Sequence, residues 1–195
     1  DFSRDGNVTP GVFSPLANHA THAAGITLSR SAANQGISRN AVGYMALFDD
    51  YLGVYRLNEP ADFARMKDAF HYLAVVAPPV DVVNASFGFQ TKRVGGVNSA
   101  VVKADLTGNS YASKLLDWYA WQKDVITVKS AGNTGSGTGL VTIPGDGFNG
   151  LTIGSMDGER VRATSAYQPL AGGRNGVHLV APGTNVQSVG LDGSF

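Results

Sequence analysis

Two histidines three residues apart are the side chains in this sequence best suited to acid–base chemistry. His19 and His22 lie in the run NHATHAAGI at residues 18–26, where polar residues lead directly into small apolar ones. Histidine has an ordinary pKa near neutral pH, so it can take a proton from a weak nucleophile such as a serine hydroxyl. Held rigidly at the edge of a helix, His19 is suited to act as a general base.

The same pair also suggests metal binding, because His19 and His22 lie about one helical turn apart. A zinc site needs at least a third protein ligand. The sequence has no HExxH motif and no cysteine, and no cluster of carboxylates accompanies the pair. The metal site is therefore the weaker of the two interpretations.

A second polar group fits acyl-transfer chemistry. Asn133 lies in the run SAGNTG at residues 130–135, directly after an apolar segment. The amide of an Asn in such a turn can donate a hydrogen bond to the oxyanion that develops during acyl transfer. Asn also adopts turn conformations readily for steric reasons, so a purely conformational role is the alternative.

Five short apolar runs predict the strands that position these groups. They are residues 41–48, 80–86, 125–128, 151–154 and 177–180. Helical patterns alternate with the strands, which predicts an α/β fold with a mostly parallel sheet flanked by helices. Functional groups gather beyond the carboxyl ends of such strands, and the segments 86–88 and 130–133 lie there.

Three helices are predicted. The first runs from His19 to Leu28 or Ser29, with Asn18 as its N-cap. The second begins at Pro60, and the third spans residues 109–123. The predicted face of the second helix is Phe63, Met66, Phe70 and Leu73, and that of the third is Leu115, Trp118, Tyr119 and Gln122. We expect His71 to be partly buried in helix packing and His178 to alternate with apolar residues on a strand.

Composition excludes several classes of function. Lys and Arg number 15 and so do Asp and Glu, so the chain lacks the basic surface typical of a nucleic-acid binder. The absence of cysteine excludes a disulfide framework and a cysteine nucleophile. No apolar run approaches the roughly 20 residues that span a bilayer.

Four segments, taken in order, resemble the motifs of the subtilisin-like serine peptidases. They are NHATHAAGI at 18–26, VVNASFG at 82–88, VKSAGNTG at 128–135 and VHLVAPGT at 177–184. The resemblance covers most of the chain and implies a three-layer subtilisin-like fold. It implies that His19 is the catalytic base, that Asn133 is the oxyanion donor and that His22 is structural. The chain departs from the family at Ala20, where glycine is usual.

The resemblance further implies a peptide-binding groove. Ser86, Phe87 and Gly88 correspond to the strand that pairs with the substrate backbone and forms one wall of the specificity pocket. Ser130, Ala131 and Gly132 correspond to the opposite wall. The implied partner is a polypeptide, and the implied location is extracellular or in the cell envelope. No cofactor is expected, and structural calcium is not assignable because no acidic loop has the regular spacing of a calcium site.

The aspartate and serine motifs of the family are not recognisable in the sequence. Asp5-Gly6 is the nearest imitation of the aspartate turn, but no apolar strand precedes it. Ser194 follows the Ala-Pro-Gly turn without the helix that holds a nucleophile, so we do not assign it. We therefore expect residues 1–195 to be the central part of a peptidase domain, incomplete at both ends and inactive alone.

Three hypotheses follow for function. The leading one is a serine endopeptidase that works through an acyl-enzyme. The second is a noncatalytic relative that binds peptides in the same groove. The third, a generic α/β ligand-binding domain, is weakened because no GxGxxG or Walker pattern follows a strand.

Overall fold

The computed structural model describes residues 15–29, 35–38, 40–44, 60–73, 79–94 and 97–188. The chain divides into two compact units, and each is described by itself. The smaller unit comprises residues 1–51 and 185–195, and the larger comprises residues 52–184.

The described residues of the larger unit form seven strands, numbered here in chain order. They are β1 (Val82–Ala85), β2 (Thr91–Val94), β3 (Val97–Ala100), β4 (Ile126–Ser130), β5 (Gly150–Asp157), β6 (Arg160–Val161) and β7 (Leu179–Pro182). β4 pairs in parallel with β1 and with β5, and β7 pairs in parallel with β5. Only the short β6 runs antiparallel to this sheet. The predicted mostly parallel α/β sheet is confirmed.

The register of the sheet brings three buried side chains into one row. Ala85 of β1 lies opposite Lys129 of β4, and Lys129 lies opposite Thr152 of β5. Each of the three is at most 2% exposed. Since the strands are parallel, their carboxyl ends meet at the same edge of the sheet.

The helices are α1 (Pro15–Leu28) in the smaller unit, and α2 (Pro60–His71) and α3 (Tyr111–Lys123) in the larger. α2 begins at Pro60 as predicted, and it buries Met66 and Phe70. The Phe70 ring meets Tyr119 of α3 edge-on, with 5.3 Å between ring centroids. Ser110 caps the start of α3, since its hydroxyl accepts the Ser113 N–H at 3.0 Å.

Two predictions about the position of a helix and of a strand were wrong. α1 begins at Pro15, so Asn18 lies inside the helix and is not its N-cap. A proline is favoured at the first helical position because its φ is already helical and its missing N–H has no partner there. Residues 41–44 are exposed and lie outside any strand, and the rest of that predicted strand, 45–48, lies outside the described residues.

Two predicted packing arrangements were also wrong. α3 buries Ala112, Leu116 and Tyr119, whereas Trp118 is 48% exposed. His71 is exposed rather than partly buried. Helical periodicity located α3 correctly, and Tyr119 of the predicted face is buried. Trp118 and Gln122 of that face are exposed, and the small residues Ala112, Ser113 and Ala120 are buried instead.

The hairpin of β2 and β3 was not predicted. The two strands pair antiparallel with Thr91 opposite Ala100. In the sequence Gly95-Gly96 separates them, a dipeptide typical of a two-residue hairpin turn. Polar and small residues dominate both strands, so no apolar run marks them.

A buried carboxylate ties the segment before β5 to α3. Asp146 is completely buried, and its two oxygens accept the Ser113 hydroxyl at 2.6 Å and the Gly108 N–H at 2.7 Å. The Arg174 guanidinium also donates to the Asp146 carbonyl at 2.8 Å. These contacts hold the segment around residues 142–147 against the sheet.

Replacing this carboxylate tests the arrangement. Asp146→Asn turns one acceptor into a donor that faces another donor, so we expect the free energy of unfolding to fall by about 1.5–3 kcal/mol, the range for hydrogen bonds to charged groups. Urea unfolding at pH 7 measures the change. Asp157→Asn, at an exposed aspartate, is the matched control, and equal losses for both variants would contradict the role of Asp146.

Candidate active site

His19 lies in the second turn of α1 with its side chain exposed. His22, on the next turn, is half-buried, and its backbone carbonyl accepts the Ser188 hydroxyl at 2.6 Å. Among the described residues, no three His, Cys, Asp or Glu side chains are close enough together to hold a metal ion. In the same part of the chain, no helix is both long and apolar enough to cross a membrane.

The carboxyl end of α1 is fixed by residues 36–38. The N–H groups of Ile37 and Ser38 donate to the Ile26 and Thr27 carbonyls in the last turn of the helix at 3.0 and 2.8 Å, and the Gly36 N–H donates to the Ser29 carbonyl just past the helix at 2.8 Å. These bonds satisfy carbonyls that a helix end otherwise leaves unpaired. A side-chain carbon at Gly36 would come within 2.6 Å of the Ser29 nitrogen, so a glycine is required. The helix that carries His19 is therefore anchored at its far end.

The first predicted wall of the groove lies in the larger unit, directly after β1. Ser86 and Phe87 are half-buried, and Gly88 is exposed. Phe89 then exchanges two backbone hydrogen bonds with Ile143, at 2.8 and 3.2 Å. The Phe87 and Phe89 rings meet at 6.0 Å between centroids. The segment 86–88 is thus held between a sheet strand and a fixed backbone bridge.

The second predicted wall follows β4. Ala131 is buried, its N–H donates to the Ile153 carbonyl at 2.8 Å, and its own carbonyl accepts the Thr142 N–H at 2.9 Å. The Gly132 carbonyl accepts the Ala166 N–H at 3.0 Å, and Gly132 has a φ of 105°, a conformation that favours glycine. Asn133 follows this fixed backbone with its side chain exposed.

Thr142 lies between the two walls. A side-chain carbon at Gly88 would come to 2.1 Å from the Thr142 hydroxyl oxygen, and one at Gly132 would come to 2.5 Å from the Thr142 methyl carbon. Both glycines therefore approach the same side chain. The structure brings the segments 86–88 and 130–132 together across Thr142, whereas His19 belongs to the other unit.

Sequence reasoning missed Lys129, which is only 2% exposed. Its Nζ donates to the Ser130 carbonyl at 2.5 Å and to the Ser130 hydroxyl at 3.0 Å, and it lies 5.7 Å from the centroid of the Phe87 ring. Burial lowers the pKa of Lys129 from 10.5 to about 7, against the opposing effect of the Asp146 charge. A lysine in a strand is ordinarily exposed, so the sequence offered little signal beyond its place directly before Ser130.

Comparison with known protein families finds one match. The sequence model of the Subtilase family matches residues 5–194. No curated protein sequence matches the chain.

Several solved protease structures share the fold. The prenylagaramide maturation protease PagA is 17% identical with a TM-score of 0.65, over 94% of this chain and 58% of its own. The self-cleaved protease domain of PatA is 17% identical with a TM-score of 0.66, over 96% of this chain and 63% of its own. MycP1 from Mycobacterium smegmatis is 16% identical with a TM-score of 0.60, over 96% and 53%. The chain spans less than two thirds of each of these proteins.

The buried lysine predicts an unusual pH dependence of stability. Between pH 7 and 10.5 the unfolded chain holds a proton on Lys129 that the folded chain has lost, so stability should rise with pH across this window. The slope approaches about 1.4 kcal/mol per pH unit. Below pH 7 both states are protonated, and this contribution stops changing with pH.

Lys129→Met should remove the slope and raise stability at pH 7, because the buried charge is gone. Urea unfolding of both proteins at intervals from pH 6 to 10 measures the difference in slope. Parallel curves for the two proteins would show that Lys129 keeps its ordinary pKa in the folded state.

Proposed function

Because this chain belongs to the subtilase family of proteases, we propose that the full-length protein is a serine endopeptidase that cleaves polypeptides through an acyl-enzyme. The observation that supports this best is the fixed Gly132–Asn133 turn beside the segment 86–88, with Thr142 between the two walls. This arrangement supports an oxyanion donor at Asn133 next to a backbone surface for an extended peptide.

His19 is the proposed general base. Its imidazole takes the proton of the attacking serine hydroxyl and then returns it to the leaving amine. The exposed position of His19 on an anchored helix supports this role, because the base must reach substrate while its backbone stays fixed. His22, with its carbonyl bound by Ser188, supports the helix and does not take part in the chemistry.

Asn133 is the proposed oxyanion donor. Its side chain is exposed, while the backbone before it is fixed by hydrogen bonds from Ala131 and to Gly132. A donor held in advance stabilises developing negative charge without reorganisation during the reaction. Gly132 has a positive φ of 105°, so the backbone turns at this residue and Asn133 does not continue the direction of β4.

The substrate is proposed to lie as an extended strand along Ser86, Phe87 and Gly88, with Ser130, Ala131 and Gly132 on the opposite side. Pairing through backbone hydrogen bonds gives affinity with little demand on sequence. No cofactor takes part in this mechanism. We propose an extracellular or cell-envelope location, on family membership alone.

The proposal concerns the full-length protein. The 195 residues contain neither a recognisable aspartate motif nor a recognisable serine motif of the family, and a hydrolytic triad requires both groups. We therefore expect these residues alone to be inactive.

The proposed roles can be tested in the full-length protein with a fluorophosphonate probe and a peptide substrate. We expect serine-directed labelling, and we expect His19→Ala to lower kcat by at least about 10⁴-fold because the serine loses its base. Asn133→Ala should lower kcat by about 10²–10³-fold with little change in KM, a magnitude measured on this donor in a member of the same family. His71→Ala, at an exposed histidine of α2, is the control and should leave kcat unchanged.

Two results would contradict the proposal. Peptidase activity that survives His19→Ala would remove the assigned base. A folded full-length protein that binds peptides but neither reacts with the probe nor cleaves them would favour the noncatalytic peptide-binding hypothesis.

A further inference from the structure

We propose that Lys129 selects substrates with an aspartate or glutamate at the position whose side chain enters the pocket between the two walls. The inference rests on the proposed function, since it takes the segments 86–88 and 130–132 as the substrate-binding walls. It adds a residue that determines specificity and a chemical class of substrate.

The ammonium group of Lys129 lies next to both proposed walls. Lys129 Nζ contacts both oxygens of Ser130 in one wall, and it lies over the Phe87 ring in the other. A side-chain carbon at the exposed Gly88 would lie 3.3 Å from it. The charge is therefore buried directly beneath the surface that the proposed substrate covers.

Among the described residues, the Lys129 ammonium has no carboxylate bound to it. An ammonium has three protons to donate, and Ser130 accepts two of them. Within the described part of the chain, no carboxylate forms an ion pair with Lys129. Asp146 acts on Lys129 through its charge, but its oxygens already accept hydrogen bonds from Ser113 and Gly108.

Energetics favour an anionic occupant. A buried unpaired charge is costly, and this cost is largely removed when an opposite charge is placed beside it. A substrate carboxylate supplies that charge, and the hydroxyls of Ser130 and Thr142 lie beside the same site. The Thr142 side chain lies between Gly88 and Gly132, so the space that remains between the walls suits a short acidic side chain better than an aromatic one.

Matched peptides test the proposal in the full-length protein. Cleavage sites are first mapped on a peptide library by mass spectrometry, and kcat/KM is then measured for pairs that differ only as Glu and Gln, or Asp and Asn, at the pocket position. At pH 6 we expect the acidic member to be preferred roughly 10- to 100-fold, as for a hydrogen-bonded charge pair. Lys129→Met should reduce the ratio to about 1, while Lys123→Met, at an exposed lysine, should leave it unchanged.

The pH dependence of the ratio gives a second readout. Because the burial of Lys129 brings its pKa to about 7, the preference for the acidic member should fall between pH 6 and 9. Among the described residues, Asp146 is the charged group that acts on Lys129, and it is present whichever peptide is bound. The substrate carboxylate is present only with the acidic peptide.

Two results overturn the inference. The first is a ratio of kcat/KM near 1 for the acidic and neutral peptides in the natural protein. The second is a preference that persists in a Lys129→Met variant whose thermal unfolding transition is intact. If no peptide is cleaved, the proposed function fails separately. Binding of the same labelled peptide pairs, measured by fluorescence anisotropy, then decides: discrimination lost in Lys129→Met supports the inference, and no discrimination overturns it.

Discussion

The parallel pairing of β4 with β1 on one side and β5 on the other is the constraint on which every proposed substrate contact depends. It brings the ends of β1 and β4 to the same edge of the sheet, so that the segments after them lie beside each other. It also places Lys129 in a row with Ala85 and Thr152. A slip of one residue in β4 would turn Lys129 to the opposite face.

The edge of the sheet contains features that cost stability. Gly132 holds a backbone conformation that strains other residues, and Lys129 has an ionisable amine in a buried position. Gly132 lies in one wall of the proposed groove and Lys129 directly precedes that wall, which is where a protein retains costly groups when they serve binding or chemistry.

The sheet, with the edge that carries the proposed groove, was predictable because two independent signals agreed. The apolar runs located β1, β4, β5 and β7, and the polar segments after β1 and β4 marked the edge. Lys129 was not predictable, since Ile126 and Val128 look like the buried side of β4, yet Thr127 and Lys129 are buried and Ile126 is 55% exposed. That reversal depends on which face of the sheet the rest of the chain covers, and strand periodicity does not contain this information. The pairing of β2 with β3 escaped detection because polar and small residues dominate both strands and no apolar run marks them.

The most direct test of the account is a crystal structure of the full-length protein with a peptide boronate bound. The account predicts a covalent adduct on a serine, with one boronate oxygen about 3 Å from the Asn133 amide and the His19 ring within hydrogen-bond reach of the adduct. It also predicts that the peptide backbone pairs with residues 86–88. A peptide bound elsewhere, or an adduct that neither Asn133 nor His19 approaches, would contradict the proposed roles of these residues.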